Sequence, residues 1–157
     1  MDVAEAHEGS EDSLSLNPLS EVKYRCRLAT EHLERAGRLL SLRDWAGTVS
    51  ASQLAVENFA KAVISVFEVP TWSHDPSDEL NRLKESFPYG VEGLVEELVI
   101  LVRETAPEHG RASYGEPIGG LLPSDLYGEG HASSAFEKGR KASEIAEMIL
   151  EKMGIKI

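Results

Sequence analysis

Apolar residues recur along this chain at alternating spacings of three and four, the period of a helix with one buried side, and no segment reads convincingly as a strand. Val22, Cys26, Ala29, Leu33, Ala36 and Leu40 form the first stripe. It is opened by Asn17-Pro18, where Asn caps a helix and Pro fits its first turn, and it closes near Leu42. Asp44 is suited to cap a second helix. From Leu54 to Phe67 that helix is apolar on most sides, so its neighbours must cover most of its circumference, until Pro70 stops it. Asp75, Pro76, Asp78 and Glu79 follow the cap, proline and acidic-turn order that starts helices, and predict a short helix with Leu80 and Leu83 inward, ending before Pro88. Val91, Leu94, Val95, Leu98, Leu101 and Val102 mark another helix, ended by Pro107.

Residues 109–130 are rich in Gly and Pro and read as a long loop with one turn near Ser124; loops of that length usually serve a purpose. Ala132, Ala135, Gly139, Ala142, Ala146, Ile149 and Met153 form the last stripe, whose small residues let two helix backbones approach closely. There is no internal repeat. The expected fold is all-α: an up-and-down four-helix bundle with a short additional helix, organised around residues 54–67. Residues 17–157 are expected to form the domain, and residues 1–16, acidic, serine-rich and aperiodic, are expected to form a disordered tail.

Composition narrows the class. The length of 157 residues suits one domain with a single core, and 41% hydrophobic content with 6% aromatic suits a helical core of Leu, Val and Ala. No run approaches the roughly 20 apolar residues of a membrane span. Met1 to Ser20 lacks the basic start and apolar centre of a secretory signal, so the expectation is a cytoplasmic protein that does not meet a membrane. The single cysteine, Cys26, excludes an intrachain disulfide and falls on a buried stripe.

The net charge of −11 is unevenly spread. Residues 22–43 carry Lys23, Arg25, Arg27, Arg35, Arg38 and Arg43 against Glu31 and Glu34, whereas residues 68–108 carry ten acids against Arg82, Lys84 and Arg103. Such a surface repels bulk nucleic acid while its basic first helix offers a docking face, or simply a solvated one.

Within the apolar second helix, Glu57 and Lys61 stand four apart with the acid first, the favourable order for an ion pair. Half-buried, the pair is either structural or part of a ligand site. His74 precedes the Asp75 cap, where it bonds into the turn or faces a cleft. His7, His32, His74, His109 and His131 show no metal-ligand spacing with Cys or acids, so no metal is expected. Gly119-Gly120 lacks the Lys-Ser/Thr that would complete a phosphate loop.

The run Ser52-Gln53-Leu54-Ala55-Val56-Glu57-Asn58-Phe59-Ala60-Lys61-Ala62-Val63, followed by His74-Asp75-Pro76, resembles the HEPN domain (higher eukaryotes and prokaryotes nucleotide-binding). Arg111 to Glu116, Leu122 to Tyr127 and His131 to Ala135 resemble the arginine-tyrosine loop, proline-tyrosine turn and alanine-rich final helix of archaeal and bacterial members, although Ala112-Ser113 separates the Arg from the Tyr here. The resemblance covers about residues 20–155.

It implies a non-catalytic, nucleotide- or RNA-associated chain, a homodimer, often paired with a minimal nucleotidyltransferase as in toxin-antitoxin pairs. No cofactor is implied beyond a nucleotide ligand, with Lys61, His74, Arg111 and Tyr114 as its candidate contacts. Arg111 would meet phosphate and Tyr114 would stack on a base, unless Tyr114 and Tyr127 only pin the loop to the bundle by burial and a hydroxyl hydrogen bond. HEPN ribonucleases carry Arg, four to six residues, then His, and Arg103 with His109 fits that pattern. The alternatives are therefore a dimeric, metal-independent ribonuclease toxin, with His109 moving a proton and Arg103 holding the phosphate, or a purely structural homodimer.

Overall fold

Asn17 Oδ1 accepts from the Leu19 amide at 3.1 Å, which starts α1 (Pro18–Ser41) with its proline in the first turn. Asp44 Oδ1 does the same for the Gly47 amide at 2.9 Å and starts α2 (Trp45–Ile64). The computed structural model describes residues 17–157, so the tail expected over residues 1–16 lies outside the described residues. The chain continues as α3 (Ser77–Leu83), a 3-10 turn (Lys84–Ser86), α4 (Glu92–Thr105), α5 (Glu108–Tyr114), α6 (Pro123–Leu126) and α7 (Glu129–Lys152). Among the described residues there is no strand, only an isolated bridge between Glu116 and Leu121. The four long helices α1, α2, α4 and α7 are the bundle.

The apolar second helix is its axis: α2 packs against α1, α7, α5, α4 and α3, and every residue from 55 to 65 is buried. Val56, Ala60 and Val63 are fully enclosed, and with Leu80, Val95, Leu98 and Ile149 they form the main core. The α1 stripe places Val22, Cys26, Ala29 and Ala36 inside. Burial pushes the Cys26 thiol up to about 11, so it stays protonated and inert. On α7, a Cβ at Gly139 would lie 2.9 Å from Leu33 and 3.8 Å from the Ser52 carbonyl oxygen, which is the close approach that the stripe of small residues predicts.

Three boundaries differ from the sequence expectation. Helix α2 stops at Ile64, well before Pro70, where the amides of Val66 and Phe67 turn to the carbonyls of Val63 and Ile64 in tighter turns and the Ser65 hydroxyl bonds back to the Lys61 carbonyl at 2.7 Å. Phe67 therefore lies beyond the helix, meeting Phe87 edge-on at 4.8 Å. Helix α3 starts at Ser77, whose amide donates to Asp75 Oδ1 at 3.1 Å.

The third difference matters for function. Pro107 ends α4 but serves as the N-cap of α5, where a missing amide hydrogen costs nothing. Burial of Ala112 against Val49 and Tyr127 holds α5 to α2. What reads as one long loop is thus α5, a tight turn and α6. At the start of that turn Gly115 has φ 68°, and a Cβ there would sit 2.0 Å from the Leu121 carbonyl oxygen, so glycine is required.

Candidate functional site

Gln53, Glu57 and Lys61 occur at successive i,i+4 positions of α2 and form a buried polar ladder along one of its sides. Lys61 Nζ donates to Glu57 Oε1 at 2.9 Å, and Gln53 Nε2 donates to Glu57 Oε2 at 3.0 Å. Burial alone would raise the Glu57 pKa. The hydrogen bonds from Gln53 and Lys61, with the charges of Lys61 and His74, outweigh it and hold the carboxyl below its ordinary 4.5.

Two histidines from other elements close over this ladder. His74, on the segment before α3, places Nδ1 3.3 Å from each Glu57 oxygen. His109, in the first turn of α5, places Nδ1 2.9 Å from Gln53 Oε1. The two rings stack with centroids 3.6 Å apart and planes 17° from parallel. The His74 side chain is 57% exposed, so the pair forms the wet lid of an otherwise buried set.

The hydrogen bonds fix protonation in sequence. An ionised Glu57 only accepts, so Gln53 must turn its amide NH2 toward it. That leaves Gln53 Oε1 facing His109 and requires the proton on Nδ1, so the neutral ring presents the Nε2 lone pair. Desolvation, then the charge of His74, lowers the His109 pKa below 6.5, which favours that neutral ring. His74 donates Nδ1–H to Glu57 and likewise has Nε2 free for other partners.

The fold gathers some of the sequence-derived candidates and separates others. Lys61, His74 and His109 meet here. Lys61 is buried and its ammonium is committed to Glu57, so it supports the site rather than contacting a ligand. Within the single chain Arg103 makes no contact with His109 and pairs with exposed Asp78 at 3.3 Å. Arg111 is held by Glu116 at 2.8 Å and Glu108 at 3.7 Å. Tyr114 is 78% exposed; it does not pin the loop, whereas Tyr127, buried and bonded to Glu108, does. The hydroxyl of Tyr127 has its pKa raised by burial and by that bond. Asn58, on another side of α2, accepts from Arg25 at 3.1 Å and ties α1 to α2.

Sequence pattern alone assigns Gln53 no role, although it stands four residues before Glu57. Nor does spacing along the chain mark Glu57, His74 and His109 as a metal-ligand set. In the fold, one candidate ligand atom from each lies within 4.8 Å of the other two.

The HEPN domain family model matches residues 22–156. The crystal structure of TT1696 from Thermus thermophilus is similar at a TM-score of 0.65 and 22% identity, over 83% of this chain and 98% of that one, a likeness of fold. No curated protein matches the chain.

Proposed function

This chain belongs to the HEPN domain family, and from that premise we propose that it binds a ribonucleotide or an RNA end at the His74–His109 pair without cleaving it. The observation that carries the reading is the pair of imidazoles oriented through Nδ1 by Glu57 and Gln53. His109 offers an acceptor at Nε2, which suits a ribose hydroxyl; His74, when protonated, offers a donor at Nε2, which suits a phosphate oxygen. A ribonucleotide carries both groups side by side. Tyr114, exposed on the same short helix as His109, is free to stack on an aromatic base.

The test is a thermal-shift panel of ribo- and deoxyribonucleotides in EDTA. The expected result is stabilisation of the wild type by a ribonucleotide, lost in His74→Ala and His109→Ala. No shift with any nucleotide contradicts the reading and favours a purely structural homodimer.

Following the family resemblance, the chain acts as the helical partner of a minimal nucleotidyltransferase, in a toxin-antitoxin-like pair. Exposed Lys23, Arg27, Arg35 and Arg38 along α1 support an acidic partner, with electrostatics favouring encounter more than final affinity. Co-purification at low salt should recover that partner; none recovered when it is co-expressed counts against the pairing.

A second reading, metal-independent RNA cleavage, is favoured by the lone pair at His109 Nε2. His109 would take the proton of a 2′-hydroxyl as its oxygen attacks phosphorus. His74 would give a proton to the departing 5′-oxygen as the P–O5′ bond breaks, leaving a 2′,3′-cyclic phosphate. Cleavage in EDTA by wild type but not by His109→Ala supports it; equal or absent cleavage by both eliminates it.

A further inference from the structure

We infer that Glu57, His74 and His109 form a binding site for one divalent transition-metal ion of the zinc, cobalt or nickel class. The site is carried by different parts of the fold: the buried middle of α2, the segment before α3 and the first turn of α5. It uses the same side chains as the nucleotide reading but does not rest on it.

Geometry and chemistry agree on this class of ion. A tetrahedral ion with bonds of roughly 2.0–2.1 Å has neighbouring ligand atoms roughly 3.3–3.4 Å apart. His74 Nδ1, which gives up its proton to solvent when an ion takes that proton's place against Glu57, already lies 3.3 Å from both Glu57 oxygens, and the three-residue set closes within 4.8 Å. Two imidazoles and one carboxylate suit a borderline ion rather than magnesium or calcium, which take oxygen ligands. Three protein ligands leave a position for water or for an oxygen of a bound ligand.

The surroundings fit as well. One amide, Gln53, donates to Glu57 Oε2 and accepts from His109 Nδ1–H, so it orients two of the three ligands and leaves His109 Nε2 free to coordinate. Histidines that bind metals are commonly held this way, by a carbonyl on the other ring nitrogen. A carboxylate has about four lone-pair sites, and Lys61 and Gln53 use two of them.

Two features set limits on the site. The Lys61 ammonium, 2.9 Å from Glu57 Oε1, opposes a cation and keeps the affinity below that of an all-neutral shell. The rings are nearly parallel at 3.6 Å, so their lone pairs do not converge; one ring must turn when the ion enters. His74 is the one that turns, because it is exposed and outside a helix.

The test uses the full chain in metal-free buffer without nucleotide, titrated with Zn²⁺ by calorimetry and with Co²⁺ by visible absorption. The expected result is one saturable equivalent with cobalt d–d bands. His74→Ala and His109→Ala should each weaken it by roughly tenfold or more, and Gln53→Leu by about 10–100-fold, while His131→Ala binds as wild type does. Circular dichroism checks each fold; should His109→Ala not fold, exposed His74→Ala decides. No saturable binding, or equal affinity in the folded histidine variants, overturns the site. The EDTA arm of the nucleotide panel is metal-free, so either idea can fail without the other.

Discussion

Gln53 Oε1 and His109 Nδ1 lie 2.9 Å apart, joining the central helix to a short helix 56 residues further along the chain. That contact transmits the ionisation of buried Glu57 to the protonation pattern of a ring at the surface. It also explains why a helix apolar nearly all round keeps three polar residues on one side.

The buried ion pair should behave asymmetrically. Lys61→Met leaves Glu57 without its cation in a desolvated place and should cost roughly 3–5 kcal/mol in urea unfolding. Replacing Glu57 and Lys61 together by Leu and Met should cost far less than the sum of the two single changes, because no orphaned charge remains.

Stability should fall with acid, in two windows. The folded-state pKa values of His109 and His32 lie below 6.5, chiefly through desolvation, so the unfolded chain takes up those protons first. Their contribution is complete above pH 6.5 and is lost as pH falls through the lower folded values. Glu57, held below 4.5, contributes fully above that pH and loses its contribution as pH falls through its folded value. Melting temperature against pH should show both declines, and His109→Gln should flatten the upper one.

Arg103→Ala should change little. Its guanidinium is exposed and faces a still more exposed Asp78, a pairing worth about 0–1 kcal/mol. Nucleotide binding, or cleavage if it occurs, should persist in Arg103→Ala and vanish in His109→Ala. Equal loss in both would restore the Arg-His pairing that sequence spacing implied.

Gly115→Ala should loosen the turn between α5 and α6. A positive φ and a Cβ 2.0 Å from a carbonyl oxygen cannot be accommodated without moving backbone, at a cost on the order of 1–3 kcal/mol. Because α5 carries His109, the same variant should weaken nucleotide-induced stabilisation; unchanged melting would show that the turn is free to rearrange.

The long elements were legible because period and caps agree: Asn17 and Asp44 cap the helices expected of them, and the residues from 55 to 64 lie inside as their all-round apolarity requires. Helix α5 was not legible. Its seven residues hold one buried apolar position, Ala112, too little for a periodic signal, and Pro107 reads equally as a stop or a start. The site was legible only in part. Glu57, Lys61, His74 and His109 stood out singly, but the links from Glu57 to His74 and from Gln53 to His109 depend on how distant segments pack, which local spacing does not encode. Spacing instead favoured Arg103 with His109, since six residues apart looks close in sequence whatever the turn at Pro107 does.

The most direct test is the protonation pattern of His109 itself, read by two-dimensional ¹⁵N–¹H spectra of the imidazole nitrogens at neutral pH, with His109→Ala supplying the assignment. A neutral ring protonated at Nδ1 is the expected result, turning to the other tautomer or to rapid exchange in Gln53→Leu. A ring protonated at Nε2 in the wild type would contradict the account, since the buried ladder would then not be what orients the surface pair.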